Sequence, residues 1–196
     1  DGNVDKAVED LVTRKTKSAG QACSAQNIVF VERKIASQVI DKIDAAFRNI
    51  RALPTNEFGN AKMGPVRSRT AMRNLLNFEK RLTNEGAKLV CGLNGDKATG
   101  RGYMFNPVSY LSDNPKIFLQ HEIFAPLMGI YVFDDRLKLK EIIRNNKQPL
   151  VLYAYSSDKE YLAKFTSALN YGSIGLNNTG IQGAFVPTGG FKQAGL

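Results

Sequence analysis

Cys23 is the residue whose surroundings most invite chemistry. It stands in Gly20-Gln21-Ala22-Cys23-Ser24-Ala25, after a helical segment and before the apolar run Asn27 to Val31. Loops and strand ends beside a parallel sheet are where α/β proteins place reactive groups. The small neighbours Ala19, Gly20, Ala22, Ser24 and Ala25 leave the backbone open to a substrate. Backbone N–H groups around such a break can donate to a developing oxyanion. Taken alone, the segment also admits a plainer and commoner reading, an ordinary buried cysteine. The other thiol is Cys91, and the one imidazole is His121. A Cys–His dyad would require His121 to reach Cys23, and nothing near Cys23 in sequence serves as a base. One histidine makes a His-based metal site unpromising, and no Cys/His pair has zinc spacing, so no metal is expected. Two cysteines make no disulfide framework, and both read as reduced thiols.

Two more segments follow in order. His121-Glu122-Ile123-Phe124-Ala125-Pro126 places an acid and an aromatic side by side, and residues 187–195 read Pro-Thr-Gly-Gly-Phe-Lys-Gln-Ala-Gly. The first segment, Gly20-Gln21-Ala22-Cys23, resembles the cysteine signature of the aldehyde dehydrogenase superfamily, in which Gly-Gln-x-Cys precedes a short strand. The second resembles the family's Glu-x-Phe-Gly-Pro motif, and the third its Pro-Phe-Gly-Gly-x-Lys-x-Ser-Gly motif. Residues 149–156, Pro-Leu-Val-Leu-Tyr-Ala-Tyr-Ser, look like a family strand as well. Each match is weak by itself. Three in the family's order, spread over almost the whole chain, are not.

The resemblance implies a mechanism. Cys23, as thiolate, attacks an aldehyde carbonyl to give a thiohemiacetal. Its own N–H helps hold the oxyanion, beside an Asn side chain from a cofactor domain. Hydride passes to NAD or NADP, and the resulting thioester is hydrolysed to the acid. Glu122 would accept hydrogen bonds from the nicotinamide ribose hydroxyls, a task that suits a carboxylate, and Phe124 would pack near the nicotinamide. The plain alternatives are a surface acid for Glu122 and a core residue for Phe124. No Gly-x-Gly-x-x-Gly loop is present to cradle a dinucleotide phosphate. In the family, the cofactor domain and the general-base Glu precede the cysteine segment, and an oligomerising tail follows the last motif. On that pattern residues 1–196 are a single catalytic domain, with those parts before Asp1 and after Leu196. The isolated domain is then expected to turn over negligibly as a dehydrogenase, and the full-length enzyme to be a homo-oligomer.

Two departures from the family pattern fall in loops. Ala125 replaces a Gly and Thr188 a Phe. Thr16, Lys17 and Ser18 stand where relatives often carry aromatic or apolar residues and an Asn, which suggests a polar mouth to the aldehyde tunnel. Lys17 could equally be a cation at a helix C-terminus. The loop from Asn178 to Val186 would line the aldehyde site. The backbone N–H groups of Gly180 and of Gly183 and Ala184, with the hydroxyl of Ser24, could hold a substrate carboxylate, as for a semialdehyde. Phe185 could instead cover an apolar chain.

These residues need a scaffold. Val4, Ala7, Val8, Leu11 and Val12 form one apolar stripe and predict a helix over 3–17. Residues 27–31 read as a buried strand. Ile35, Val39, Ile43, Phe47 and Ile50 predict a helix to near Ala52, and a loop follows from 53 to 63. Pro65 favours the start of a helix whose buried face is Met72, Leu75, Leu76 and Leu82. Strands are predicted at 88–92, at 103–111 with an interruption at Pro107, and at 128–133, 150–155 and 173–176. A polar turn fills 94–102, and helices occupy about 135–145 and 157–170. This alternation implies an α/β fold, a three-layer αβα domain with a mostly parallel sheet, of the aldehyde dehydrogenase catalytic type.

Composition sets the outer bounds. The chain has 196 residues, of which 43% are hydrophobic and 23% charged, as in a soluble globular domain. No apolar run approaches the ~20 residues of a membrane span, and no signal peptide opens the chain, so a cytoplasmic or organellar-matrix protein is expected. The net charge of +9 comes from 27 Lys and Arg scattered along the chain rather than gathered on one face, so no nucleic acid is expected as a partner. Three rivals remain to the hydrolytic enzyme: a CoA-acylating relative, a non-catalytic assembly module that retains the fold, and a basic nucleic-acid binder.

Overall fold

The computed structural model describes residues 2–53, 63–92, 98–99, 102–147, 150–180 and 189–194. They form two compact units, one of residues 12–132 and one of residues 1–11 with 133–196. The α/β class and the mostly parallel pairing expected from the sequence are both present.

The larger unit takes in the end of α1 (Val4–Thr16), then β1 (Ile28–Glu32), α2 (Ala36–Arg48), α3 (Arg69–Asn84), β2 (Lys88–Cys91) and the short pair β3 (Ala98–Thr99) and β4 (Met104–Phe105). It continues with β5 (Val108–Leu111), α4 (Lys116–Leu119) and β6 (Leu127–Phe133), which ends at the unit boundary. Four strands hydrogen-bond in the order β1-β6-β5-β2. β5 and β6 run parallel, with Val108 opposite Leu127 and Leu111 opposite Ile130, while β2 is an antiparallel edge strand on β5. Side chains alternate across a strand. Val108 and Tyr110 join one buried cluster with Leu75 and Leu82 of α3 and Ile117 and Phe118 of α4. Cys91 lies opposite Ser109 and reaches the Ile40 carbonyl of α2 at 3.6 Å. Helices therefore cover both faces of this sheet.

Several boundaries differ from the sequence reading: α2 stops at Arg48 rather than near Ala52, and the helix expected over about 157–170 spans Lys159–Thr166. The third helix begins at Arg69 rather than Pro65, because the Ser68 side chain accepts from the Ala71 N–H at 3.1 Å and supplies the cap. The interruption expected at Pro107 in the strand over 103–111 is present, and it divides the stretch into two strands, β4 and β5, separated by Asn106 and Pro107. Proline has no N–H to give a ladder, so pairing stops there. The polar turn at 94–102 contains β3, and the turn of helix α4 went unread.

In the smaller unit, α5 (Arg136–Arg144), β7 (Val151–Ala154), α6 (Lys159–Thr166) and β8 (Ser173–Leu176) follow in turn. β7 and β8 pair in parallel, and α6 makes the crossover between them. Asp135 and Asp158 cap the two helices, accepting from Leu137 N at 2.7 Å and Tyr161 N at 2.8 Å. Arg136 lies over the Tyr161 ring, 4.6 Å from its centroid. Tyr155 donates to Asp10 at 2.7 Å, which ties the start of α1 to this unit. At Gly172 any Cβ would meet the Gly189 carbonyl oxygen at 2.0 Å, so only glycine lets the two backbones pass.

Candidate active site

The segment before Cys23 is bent by its backbone. After α1, Ser18 and Ala19 hold φ of 53° and 54°, and Gly20 holds 68°, three left-handed residues in succession. Each of the two side-chain-bearing residues costs on the order of 1–2 kcal/mol in that region, and such strain gathers at functional sites. Gln21 offsets part of it. Its amide nitrogen donates to the Ser18 carbonyl at 2.9 Å and the Pro65 carbonyl at 3.2 Å, and its Oε1 accepts from Arg67 N at 2.7 Å. A turn closed by Ala25 N on the Ala22 carbonyl, 3.0 Å, then carries Cys23 at its tip. Cys23 is exposed and Cys91 is buried. The plain reading of Cys23 as a buried thiol is thus corrected: it sits where the chain has just reversed, with too few neighbours to cover it.

Glycine 20 brings the second motif to this turn. A Cβ there would stand 2.4 Å from the Ala125 carbonyl oxygen and 3.0 Å from that of Lys15. Backbone touches backbone, so the segment 121–126 is held directly behind the cysteine turn. Asn27 makes a second link: its Nδ2 donates to the His121 carbonyl at 3.2 Å, and its Oδ1 accepts from Ile123 N at 3.4 Å. Between those two residues Glu122 is exposed and has no hydrogen bond or ion pair among the described residues. Phe124 is half-buried, in a left-handed conformation (φ 45°), with the Arg67 guanidinium 6.0 Å from its ring centroid. His121 does not serve Cys23. Its Nε2 lies 2.8 Å from Arg81 Nη1, so the ring is engaged by that guanidinium.

The remaining expected residues fall less neatly. Ser24 is buried, and its hydroxyl accepts from Arg14 Nη1 at 3.3 Å. Gly183, Ala184 and Phe185 lie outside the described residues. Of the third motif, Gly189 to Ala194 are described and belong to the smaller unit. There Lys192 donates to the Arg144 carbonyl at 3.1 Å and Gln193 N to that of Lys147 at 3.1 Å, so this stretch satisfies the C-terminal end of α5. Of the polar residues at 16–18, Thr16 is turned inward with its hydroxyl on the Val12 carbonyl, 2.8 Å, while Lys17 and Ser18 are exposed. No group of acids, cysteines and histidine among the described residues could hold a metal ion.

Four residues that shape this region escaped the sequence reading. Gln21 stands inside the quoted signature but was given no task. Asn27 and Arg67 act on partners far away in sequence, and no local pattern announces that. Lys15 did leave a signal. It continues the stripe of Val8 and Leu11 at helical spacing and is completely buried, its Nζ without a hydrogen-bond partner among the described residues. Burial pushes its pKa down to about 7. Cys91 shows the opposite effect: burial, and then the nearby Asp44 carboxylate, push its thiol up to about 12.

Comparison with known proteins gives the region its context. The sequence profile of the aldehyde dehydrogenase family matches residues 1–196. A Staphylococcus aureus (strain MSSA476) protein carrying an aldehyde dehydrogenase name is 28% identical over 198 aligned residues, taking in all of this chain and 41% of the relative. The crystal structure of a succinate-semialdehyde dehydrogenase from Burkholderia pseudomallei superposes with a TM-score of 0.91 at 28% identity, over 100% of this chain and 40% of that one. An NAD+ complex of an aldehyde dehydrogenase from Bacillus cereus gives 0.90 at 26% identity, again over 100% of this chain and 40% of that one. The chain spans about two fifths of the length of these relatives. With a profile matched from end to end, and two of its signature segments in backbone contact beside an exposed thiol, this chain belongs to the aldehyde dehydrogenase family.

Proposed function

We propose that Cys23 is the nucleophile of an NAD(P)-dependent aldehyde dehydrogenase that converts an aldehyde to the carboxylic acid. The single observation carrying this reading is the exposed thiol on a turn whose Gly20 touches Ala125, which draws Cys23 and the Glu122–Phe124 segment to one place. The Cys23 sulfur adds to the carbonyl carbon, the carbonyl oxygen gains the charge, and the Cys23 backbone N–H would donate to it. When bound, the nicotinamide cofactor supplies a hydride acceptor. Water then cleaves the thioester on Cys23, releasing the acid and restoring the thiol.

The residues present fit that cofactor. Glu122 is an exposed carboxylate with no partner among the described residues, which suits an acceptor for a pair of sugar hydroxyls, and the half-buried Phe124 offers an apolar face two residues on. For the far end of the substrate the reading retains Ser24, Gly183, Ala184 and Phe185. The likeness to a succinate-semialdehyde dehydrogenase favours a semialdehyde among aldehydes. No helix of the described residues is long and apolar enough to cross a membrane, and the proposal includes a cytoplasmic enzyme that acts as a homo-oligomer.

Competitive alkylation tests the nucleophile. With limiting iodoacetamide, Cys23 is expected to be labelled far ahead of Cys91, and succinic semialdehyde to protect it better than a long-chain aldehyde. Equal inertness of the two thiols would favour a non-catalytic module of the same fold.

A further inference from the structure

Asn27 occupies a place that the mechanism leaves unused. It is half-buried, four residues beyond Cys23 on the same stretch of chain, and just ahead of β1. Its carboxamide donates to the His121 carbonyl at 3.2 Å and accepts from Ile123 N at 3.4 Å, while its own carbonyl accepts from Gly129 N at 2.9 Å on β6. A carboxamide carries the same donor and acceptor as a peptide group. Asn27 therefore pairs with the backbone on both sides of residue 122, much as a neighbouring strand residue would, although the residues around Glu122 belong to no strand. One partner needs the nitrogen and the other the oxygen, which fixes the orientation of the amide.

The second attachment is Gly20 against Ala125, three residues further along. A single hinge would let the segment swing; two points fix both its position and its angle. Both points lie on the Cys23-bearing stretch, one on each side of the thiol.

We propose that Asn27 is a positioning residue, whose carboxamide clamps the backbone flanking Glu122 and so sets the place of that carboxylate relative to Cys23. The inference rests on the reading of Glu122 as a cofactor ligand. Aspartate at this position keeps the acceptor for Ile123 but loses the donor and sets oxygen against the His121 carbonyl. Alanine loses both bonds.

The test compares Asn27→Ala, Asn27→Asp and Glu122→Gln by two readouts. The first is amide hydrogen exchange, which reports local opening. Asn27→Ala should speed exchange at Ile123 by about tenfold or more and leave Gly129, bonded to the main chain of the same residue, unchanged. The second is steady-state kinetics of the full-length enzyme carrying the same substitutions. Asn27→Ala and Glu122→Gln should each raise the cofactor KM about tenfold with kcat within about twofold, the double variant should be no worse than either, and Asn27→Asp should fall between wild type and Asn27→Ala. Unchanged exchange at Ile123 would overturn the clamp. A raised KM in Glu122→Gln with a normal one in Asn27→Ala would overturn the positioning role and leave the Glu122 assignment standing. A normal KM in Glu122→Gln would overturn that assignment and this inference with it.

Discussion

The α-carbon of Gly20 lies so close to Ala125 that a methyl group on it would stand 2.4 Å from the Ala125 carbonyl oxygen. Two signature segments, a hundred residues apart in the chain, are thereby in backbone contact. The contact demands glycine twice over, for space and for a φ of 68°. Gly20→Ala should lower unfolding stability by about 1–3 kcal/mol and shift the cysteine turn away from residues 122–125. Urea denaturation gives the first quantity, and loss of selective labelling at Cys23 reports the second. A variant as stable and as reactive as the parent would show that the contact is not needed.

Lys15 makes stability depend on pH. The folded protein releases its proton near pH 7, whereas the unfolded chain keeps it to about 10.5. Between those values the unfolded state binds more protons, so stability rises with pH, and below about 7 the penalty of burying an unpaired ammonium is complete. Lys15→Met should stabilise the fold at pH 6 by about 1–4 kcal/mol, with the gain shrinking toward pH 10.5. Melting curves of both proteins at several pH values check this. An equal gain at every pH would mean that the effect is packing alone.

Gln21 ties the left-handed turn to residues 65–67 by two hydrogen bonds and closes on the turn's own Ser18 carbonyl by a third. Gln21→Ala should cost about 1–3 kcal/mol, since it leaves the Arg67 N–H and two carbonyls to find water. Gln21→Glu keeps the acceptor and should lose less. Stability measured for the pair separates a hydrogen-bond role from simple side-chain packing.

Much of this was legible in the sequence because it is periodic. The stripes at Val39, Ile43 and Phe47, and at Leu75 and Leu82, mark faces that are indeed buried. Cys23 and the 121–126 segment were readable by their order along the chain. What the sequence withheld was distance. Asn27 and His121 meet only because β1 and β6 are neighbours in the sheet, and strand order is not written in any local pattern. Lys15 carries conflicting signals, its spacing core and its charge surface, and the spacing prevails, since the side chain is completely buried. Pro65 misled by chemistry, since a serine three residues later offers the better cap.

The central claim is that the sulfur at position 23 forms a covalent bond to an aldehyde carbon. Nuclear magnetic resonance of an aldehyde isotopically labelled at the carbonyl carbon reads that bond directly. The account predicts a new tetrahedral-carbon signal on mixing with the protein, retained in Cys91→Ser and absent from Cys23→Ser, whose fold should be unchanged within about ±0.5 kcal/mol because the side chain is exposed. A signal that survives in Cys23→Ser, or that vanishes in Cys91→Ser while that variant remains folded, would contradict it.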